Sequence, residues 1–549
     1  MNNGYRVGLA VGLNLFACVI AQAELLRTVA LSNQQVPGAP SGVVFNKLAI
    51  PKLNAAGQVA FGADLKGTAV NSKNNSGVLS EGSGPLALVA RTGDQAPGLP
   101  VETVFSRFDH VTLGSSGHVA FMGGVAGDDI VSGNNGNGYG VWFGNAGSLE
   151  MRVRGGVQSP GGPSGVDLHF DDELLSIHPA GHMAVLARID GAGVDISSDE
   201  VIWADMPSGV GIVAREGDQA PGMPNGVKFE FLGEPALNST GQIAFDGSMS
   251  GRGHGPGTDR GIWTGTPGSL ALVASVGGQA PGTPSGVTFD WVGWDTPILN
   301  AAGQTAFSGT LTGPGVDATN YSGIWYGNAG ALSLVARDGE PAPGFPAGVH
   351  LGDMFDPVLN GAGQMAFPAR LQGDGIDNSN NSAIWSVDSG SMSLVAREGD
   401  VAPGTDGRKF GDLIVHFVIN SNGQTAFMNN LQDAVGSPPD RGIWAEDREG
   451  TLRLIARKGS ELEVAPGDFR TVLRLDFASF SGSDEGQFNS FNERGQLAFW
   501  ALFTDGSEGI FVSNVAAIPE SGSLMIVAGA MVVLLPRRNG NPYSRRHRG

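Results

Sequence analysis

The sequence predicts an all-β protein: an eight-bladed β-propeller of four-stranded repeats, each about sixty residues long, closed by an N-terminal strand that completes the last blade. Three observations predict it. Eight Pro-Gly steps begin at Pro37, Pro97, Pro160, Pro221, Pro281, Pro343, Pro403 and Pro466, at spacings of 60, 63, 61, 60, 62, 60 and 63 residues. A second landmark, Asn-x-x-Gly-x-x-Ala-Phe, keeps register with them from Asn54, Asn238, Asn300, Asn360, Asn420 and Asn492, and degenerate copies end at Phe121 and Val185. The third is that the two ends of the array are complementary.

Along the chain, residues 1–23 read as a secretory signal. Arg6 precedes a largely apolar stretch, Val7 to Ile20, and Ala21-Gln22-Ala23 is a small-x-small cleavage site. Leu15-Phe16-Ala17-Cys18 also loosely matches a lipoprotein box, an alternative that leaves the chain lipidated at Cys18. Cys18 is the only cysteine, so cleavage after Ala23 leaves a mature chain without thiol or disulfide, held together by packing alone.

Residues 24–515 form the propeller. One copy divides into strands at Val349 to Leu359, Gln364 to Leu371, Ala383 to Ser386 and Ser391 to Arg397, separated by Gly, Asn, Asp and Pro clusters. Apolar residues alternate in the second and fourth segments, as half-buried strands require. Asn-x-x-Gly reads as a tight turn in which Asn and Gly accept positive φ, and Gly327 to Gly330 makes another before a fourth strand. Six of the nine tryptophans share one position in the third strand (Trp142, Trp203, Trp263, Trp325, Trp385, Trp444), and with the landmark Phe they are expected to form the apolar layer between sheets.

The ends decide the topology. Leu25 to Leu31 matches a fourth strand such as Leu332 to Arg337, whereas the last copy stops at Phe511 in its third strand. Pairing the two closes a ring and removes exposed edges; an open solenoid, the alternative, needs polar capping repeats that are not visible.

Residues 516–549 read as a sorting segment. Ile518-Pro519-Glu520-Ser521 precedes an apolar run, Leu524 to Leu535, and then Pro536-Arg537-Arg538. As a helix that run spans about 18 Å, short of a hydrocarbon core of about 30 Å. It resembles the PEP-CTERM signal of Gram-negative bacteria, with Pro519, Glu520, Arg537 and Arg538 at the motif positions. The resemblance implies an exosortase-like processing enzyme, transient membrane association through the helix, and display at the cell surface or in the extracellular matrix. An ordinary short anchor with a basic cytoplasmic end is the alternative. The repeat itself resembles the NxxGxxAF tandem-repeat proteins over residues 25–511, which implies an exported surface protein and brings no catalytic residues.

Charge narrows the function. Residues 24 to 519 hold 27 Lys/Arg against 52 Asp/Glu, which excludes a nucleic-acid role, since neutralising phosphates needs a basic surface. There is no Gly-x-Ser-x-Gly elbow, no His-Glu-x-x-His and no phosphate loop. The expected function is therefore a non-catalytic surface or matrix protein whose propeller face binds polysaccharide or surface proteins. A propeller hydrolase or lyase acting on extracellular polymer, and a structural coat component, are the alternatives.

Candidate sites follow from the loops. Arg91 with Asp94, Arg215 with Asp218, Arg337 with Glu340 and Arg397 with Asp400 recur after the fourth strand. The acid is absent wherever the arginine is absent, so each pair is expected to fix its own turn. No cofactor is firmly predicted. The loops holding Asp374 and Asp377, Asp317, and Asp128 and Asp129 offer hard oxygens suited to calcium, although their spacing also fits solvated turns. The fifth copy lengthens its first strand region, and Asp290, Trp291, Trp294 and Asp295 there could stack on and hydrogen-bond a sugar ring, or simply pack inside the blade. His169, His178 and His182 in the third copy form a weak metal constellation or a worn repeat.

Overall fold

The computed structural model describes residues 26–131, 136–170, 175–178, 181–251, 254–293, 297–413, 416–432, 440–479 and 490–514. Their strands form eight antiparallel sheets, one per repeat. In the sixth blade the order is Val349–Met354 innermost, then Met365–Gly373, Ser382–Asp388 and Ser391–Arg397, with Val358–Leu359 also paired to the second strand. The first strand, read in the sequence as one segment from Val349 to Leu359, is thus not continuous. It is broken at Phe355 to Pro357, and corresponding breaks interrupt Val43–Leu48 and Lys52–Leu53, or Lys228–Leu232 and Ala236–Leu237. In the first, fourth and sixth blades the break turns three residues out of the ladder, whereas in the second the strand Val104–Leu113 runs through with register shifts alone.

The ring closes as the complementary ends predict. Leu26–Leu31 pairs antiparallel with Glu508–Asn514, from Leu26 opposite Ser513 to Leu31 opposite Gly509. Its register slips between Thr28 and Ala30. The same slip recurs where other fourth strands face their Ile-Trp step, as between Ile324 and Trp325. The N-terminal segment is therefore a true fourth strand. Ala30 and Leu31 are buried, and Thr28 Oγ1 donates to Val464 O at 2.8 Å.

Aromatic packing between blades repeats almost identically. Trp263 meets Phe229 of the first strand edge-on at 4.8 Å and stacks on Phe245 of the second at 5.9 Å; Trp325 does the same with Phe289 and Phe307 at 4.8 and 6.2 Å. The Pro-Gly landmark serves this indole. Trp142, Trp203, Trp263, Trp325 and Trp444 donate Nε1 to the carbonyls of Pro97, Pro160, Pro221, Pro281 and Pro403 at 2.9–3.0 Å, while Trp385 Nε1 has no partner among the described residues.

Room for the indole is made two ways. A Cβ on Gly261 would lie 2.6 Å from the Trp263 ring, and glycine also stands at 140, 323 and 442, always with Phe in the first strand (Phe229, Phe105, Phe289) or in the bridge just before it (Phe410). Where the position holds Val201 or Ala383, the first-strand residue is Leu168 or Leu351 instead. Gly261→Ala is therefore expected to destabilise the protein by about 1–3 kcal/mol through overpacking. Adding Phe229→Leu should recover part of that loss in urea unfolding; no recovery would contradict the compensation.

The Asn landmark has a role the turn reading did not foresee. Only its glycine takes positive φ, for example Gly363 at +84°. The asparagine works through its side chain instead. Asn360 Oδ1 accepts from the backbone of Ala362 and Gln364, and its Nδ2 reaches the Asn420 carbonyl of the next blade at 2.9 Å. Asn420 bonds Asn492 O in the same way, Asn492 bonds Asn54 O, and Asn54 bonds Gly114 O, at 2.8–3.0 Å. Asn238 and Asn300 continue the series at 2.8 and 3.5 Å. Buried side-chain amides thus clasp blade to blade around the axis. In the third blade His178 and His182 take the Asn and Gln places and stack at 6.0 Å.

Candidate functional site: the central channel

The inner strands wall a central channel of about 1550 Å³. One register position dominates its lining, the fourth residue before the landmark asparagine or its equivalent. It carries Ile50, His110, Glu234, Asp356 and His416 in the first, second, fourth, sixth and seventh blades. In the first, fourth and sixth blades this residue lies in the strand break, and in the second His110 lies at the register shift between Asp109 and Thr112. Two positions on, Lys52 occurs where other blades carry Thr112, Ala236, Ile298 or Val358.

The electrostatics are mixed. Asp109 pairs with Arg107 at 2.7 Å, Asp412 with Arg370 at 2.9 Å, and Asp476 with Arg474 at 3.3 Å. Asp356 accepts the Ser308 hydroxyl. Glu234 lies half-buried, and desolvation holds its carboxyl above the usual range although the His110 charge pulls it back. Lys52 sits deep between the channel walls, where desolvation lowers its ammonium to about 8. His110 adopts φ +51°, a left-handed conformation that costs a β-carbon residue roughly 1 kcal/mol and is concentrated at functional sites. His416 Nδ1 lies 2.5 Å from Ser479 Oγ, joining the seventh and eighth blades. Between these polar groups stand Phe108, Phe355, Phe417 and Trp500.

The sites expected from the loops lie elsewhere. Trp291 is half-buried at the junction of the fourth and fifth blades, with the Arg260 guanidinium 5.0 Å from its ring centre and its Nε1 donating to Gly293 O at 2.8 Å. Asp290 is exposed in the adjoining bulge, and Trp294 and Asp295 lie outside the described residues. The channel lining includes neither Trp291 nor Asp290.

The turn arginines do not pair with the acids of their own loops, contrary to expectation. Arg91, Arg215, Arg337 and Arg397 instead donate Nε to the carbonyls of Asn74, Ser198, Asn320 and Asn380, in the loop between the second and third strands. The guanidinium reaches across the neighbouring strand end, where an orphan carbonyl is the nearer acceptor. Glu340 caps the Arg337 backbone N–H at 3.2 Å. Asp94 feels Arg91 only as a nearby charge opposing its desolvation. Asp218 and Asp400 contribute backbone carbonyls, to Phe229 and Phe410.

The calcium candidates are turn formers. Asp317 Oδ1 accepts the Thr319 N–H and hydroxyl, and Asp377 Oδ1 those of Ser379, at 2.6–2.9 Å, bonds that hold both carboxyls below the ordinary range. Asp374, Asp128 and Asp129 are exposed in their loops. Among the described residues no three His, Cys, Asp or Glu side chains converge as a metal site would need. His169 lies 3.3 Å from Asp190, apart from the stacked His178 and His182. Residues 1–23 and 516–549, with Pro519, Glu520, Arg537 and Arg538, fall outside the described residues. No helix among those described is long and apolar enough to cross a membrane.

Near the Pro-Gly loops, Asp338 is almost fully covered, and desolvation with the Asp353 charge raises it to about 6. A carboxyl raised in the fold is stabilising when protonated, so its contribution falls as pH rises from about 4 to about 6. Asp338→Asn, which keeps an acceptor for Gln372 Nε2, should stabilise the protein at pH 7.5 by about 1 kcal/mol, an advantage that vanishes by pH 4. Melting curves at the two pH values check this.

Comparison with known proteins adds the following. No curated protein matches. Among solved structures, the β-propeller domain of the trilobed protease from Pyrococcus furiosus is similar at 8% identity and a TM-score of 0.35, over 75% of this chain and 96% of that one. Trypanosoma rangeli sialidase is similar at 9% identity and a TM-score of 0.26, over 92% of this chain and 61% of that one. Likeness of this degree adds nothing to what the strand pairing shows. In sequence, a family of unknown function, DUF7453, matches residues 12–279 and again residues 246–525. The two matches between them take in every blade, and the chain belongs to that family.

Proposed function

We propose that the protein is an exported surface or matrix component that binds a saccharide in its central channel. The observation that carries this reading is where the repeat breaks its symmetry. The indole layer, the Pro-Gly loops and the Asn clasps recur from blade to blade, whereas the residue facing the axis changes from Ile50 to His110, Glu234, Asp356 and His416. A ring needs its packing repeated for closure; it does not need its lumen varied. Polar groups interleaved with Phe108, Phe355, Phe417 and Trp500 match a polyhydroxylated ligand, which presents hydroxyls at its edges and C–H groups on its faces.

The terminal segments support export, through cleavage after Ala23 and processing by an exosortase-like enzyme. The acidic balance of the chain argues against nucleic acid as the ligand. Calorimetric titration of the full-length protein with oligosaccharides from matrix polymers tests the reading. Binding should weaken by roughly tenfold in Glu234→Gln and in Phe417→Ala, with Trp291→Ala unaffected. Loss of binding in Trp291→Ala alone would move the site to the outer junction. A polymer-cleaving reading is favoured by one observation, the facing of strained His110 and raised Glu234, and product release abolished by Glu234→Gln would establish it.

A further inference from the structure

The channel wall carries charges of both signs, and three of its acids are already paired: Asp109 with Arg107, Asp412 with Arg370 and Asp476 with Arg474. Arg441, Arg474 and Lys52 line it from the seventh, eighth and first blades, which are contiguous. Glu234 lines it from the fourth blade, which faces the eighth across an eight-membered ring, and Asp356 from the sixth. Resting on the channel reading above, we propose that the saccharide bound there carries a carboxylate, as a uronate does, and that Arg441 and Arg474 receive it.

Three observations support the assignment. Arg441 uses its Nε to donate to Asn430 Oδ1 at 3.0 Å, a bond that fixes the guanidinium plane, and its two Nη groups make no further hydrogen bond among the described residues. Arg474 holds its guanidinium 5.8 Å from the Trp500 ring centre, so the cation is pre-positioned by an aromatic face. Its one acidic contact among the described residues, to Asp476, is long at 3.3 Å, and the side chain is 63% exposed. A guanidinium fork so placed offers two parallel N–H donors, the geometry that a planar carboxylate accepts. The sugar hydroxyls then lie toward Glu234 and Asp356, both of which accept hydrogen bonds when ionised.

Titration of the full-length protein with tetragalacturonate and with neutral galactotetraose tests this. The account expects tetragalacturonate to bind roughly tenfold or more tightly, with a preference that shrinks as salt rises. Arg441→Gln and Arg474→Gln should each remove most of that preference, bringing the two affinities together, and unaltered melting temperatures would show that the ring is intact. Equal affinity for the two probes overturns the carboxylate assignment and leaves the channel reading standing. Binding of neither probe overturns both.

Discussion

Deleting residues 26–31 should abolish cooperative unfolding of the native ring or lower its midpoint severely. The segment buries Ala30 and Leu31, half-buries Leu26 and Val29, and supplies the outer ladder to Glu508–Asn514. A buried leucine contributes about 1.5–3 kcal/mol, and each ladder hydrogen bond a net 0.5–1.5 kcal/mol. Together these approach the whole stability of an ordinary domain, about 5–15 kcal/mol. The deletion also exposes an unpaired edge and parts the eighth blade from Arg27, which reaches Glu81 and Gly57 O of the first. Ala30→Asp, which puts a charge into the same seam, should act in the same direction. An unchanged urea midpoint in both variants would mean that the ends do not close the ring.

Asn420→Ala should cost about 2–4 kcal/mol, a large effect for a residue outside the apolar core. Its side chain is fully buried and makes four bonds: from the N–H groups of Asn422 and Gln424, to Gln424 Oε1, and to Asn492 O of the next blade. Alanine strips the buried Gln424 N–H of its acceptor and takes one of two donors from Asn492 O, which keeps the Gly495 N–H. Asn420→Asp separates the two roles, because a carboxylate still accepts from the turn but cannot donate to Asn492 O. It should therefore also destabilise, chiefly through the junction. If Asn420→Asp matched the wild type in urea unfolding, the asparagine would be a turn former and nothing more.

These two variants mark what the sequence made legible. Closure was readable because Leu25 to Leu31 repeats a fourth strand in its own residues. The clasp was not, since Asn followed by Gly three residues later looks like any tight turn, and a side chain reaching the next blade leaves no local trace. The turn arginines misled for a related reason: Arg91 and Asp94 lie close in sequence, but the carbonyl that Arg91 satisfies belongs to Asn74, seventeen residues earlier. The indole layer was legible because one residue type repeats at one position.

The candidate site was hidden by the same repetition. Clusters such as Trp291 with Trp294 attract notice locally, whereas His110, Glu234, Asp356 and His416 stand 60 to 124 residues apart and are unremarked singly. Aligning the copies on the landmark asparagine brings them into one column, and that column is the available signal. What no alignment of copies provides is the strand break, or in the second blade the register shift, in which the column lies.

The central claim is that the varied lumen is the binding site. Crystals of the full-length protein soaked with tetragalacturonate test it most directly. The account predicts ordered sugar density in the channel, within hydrogen-bond distance of Arg441 or Arg474 on one wall and of Glu234 or Asp356 on the other. Density confined to the outer loops or to the Trp291 junction, with the channel holding only water, would contradict it.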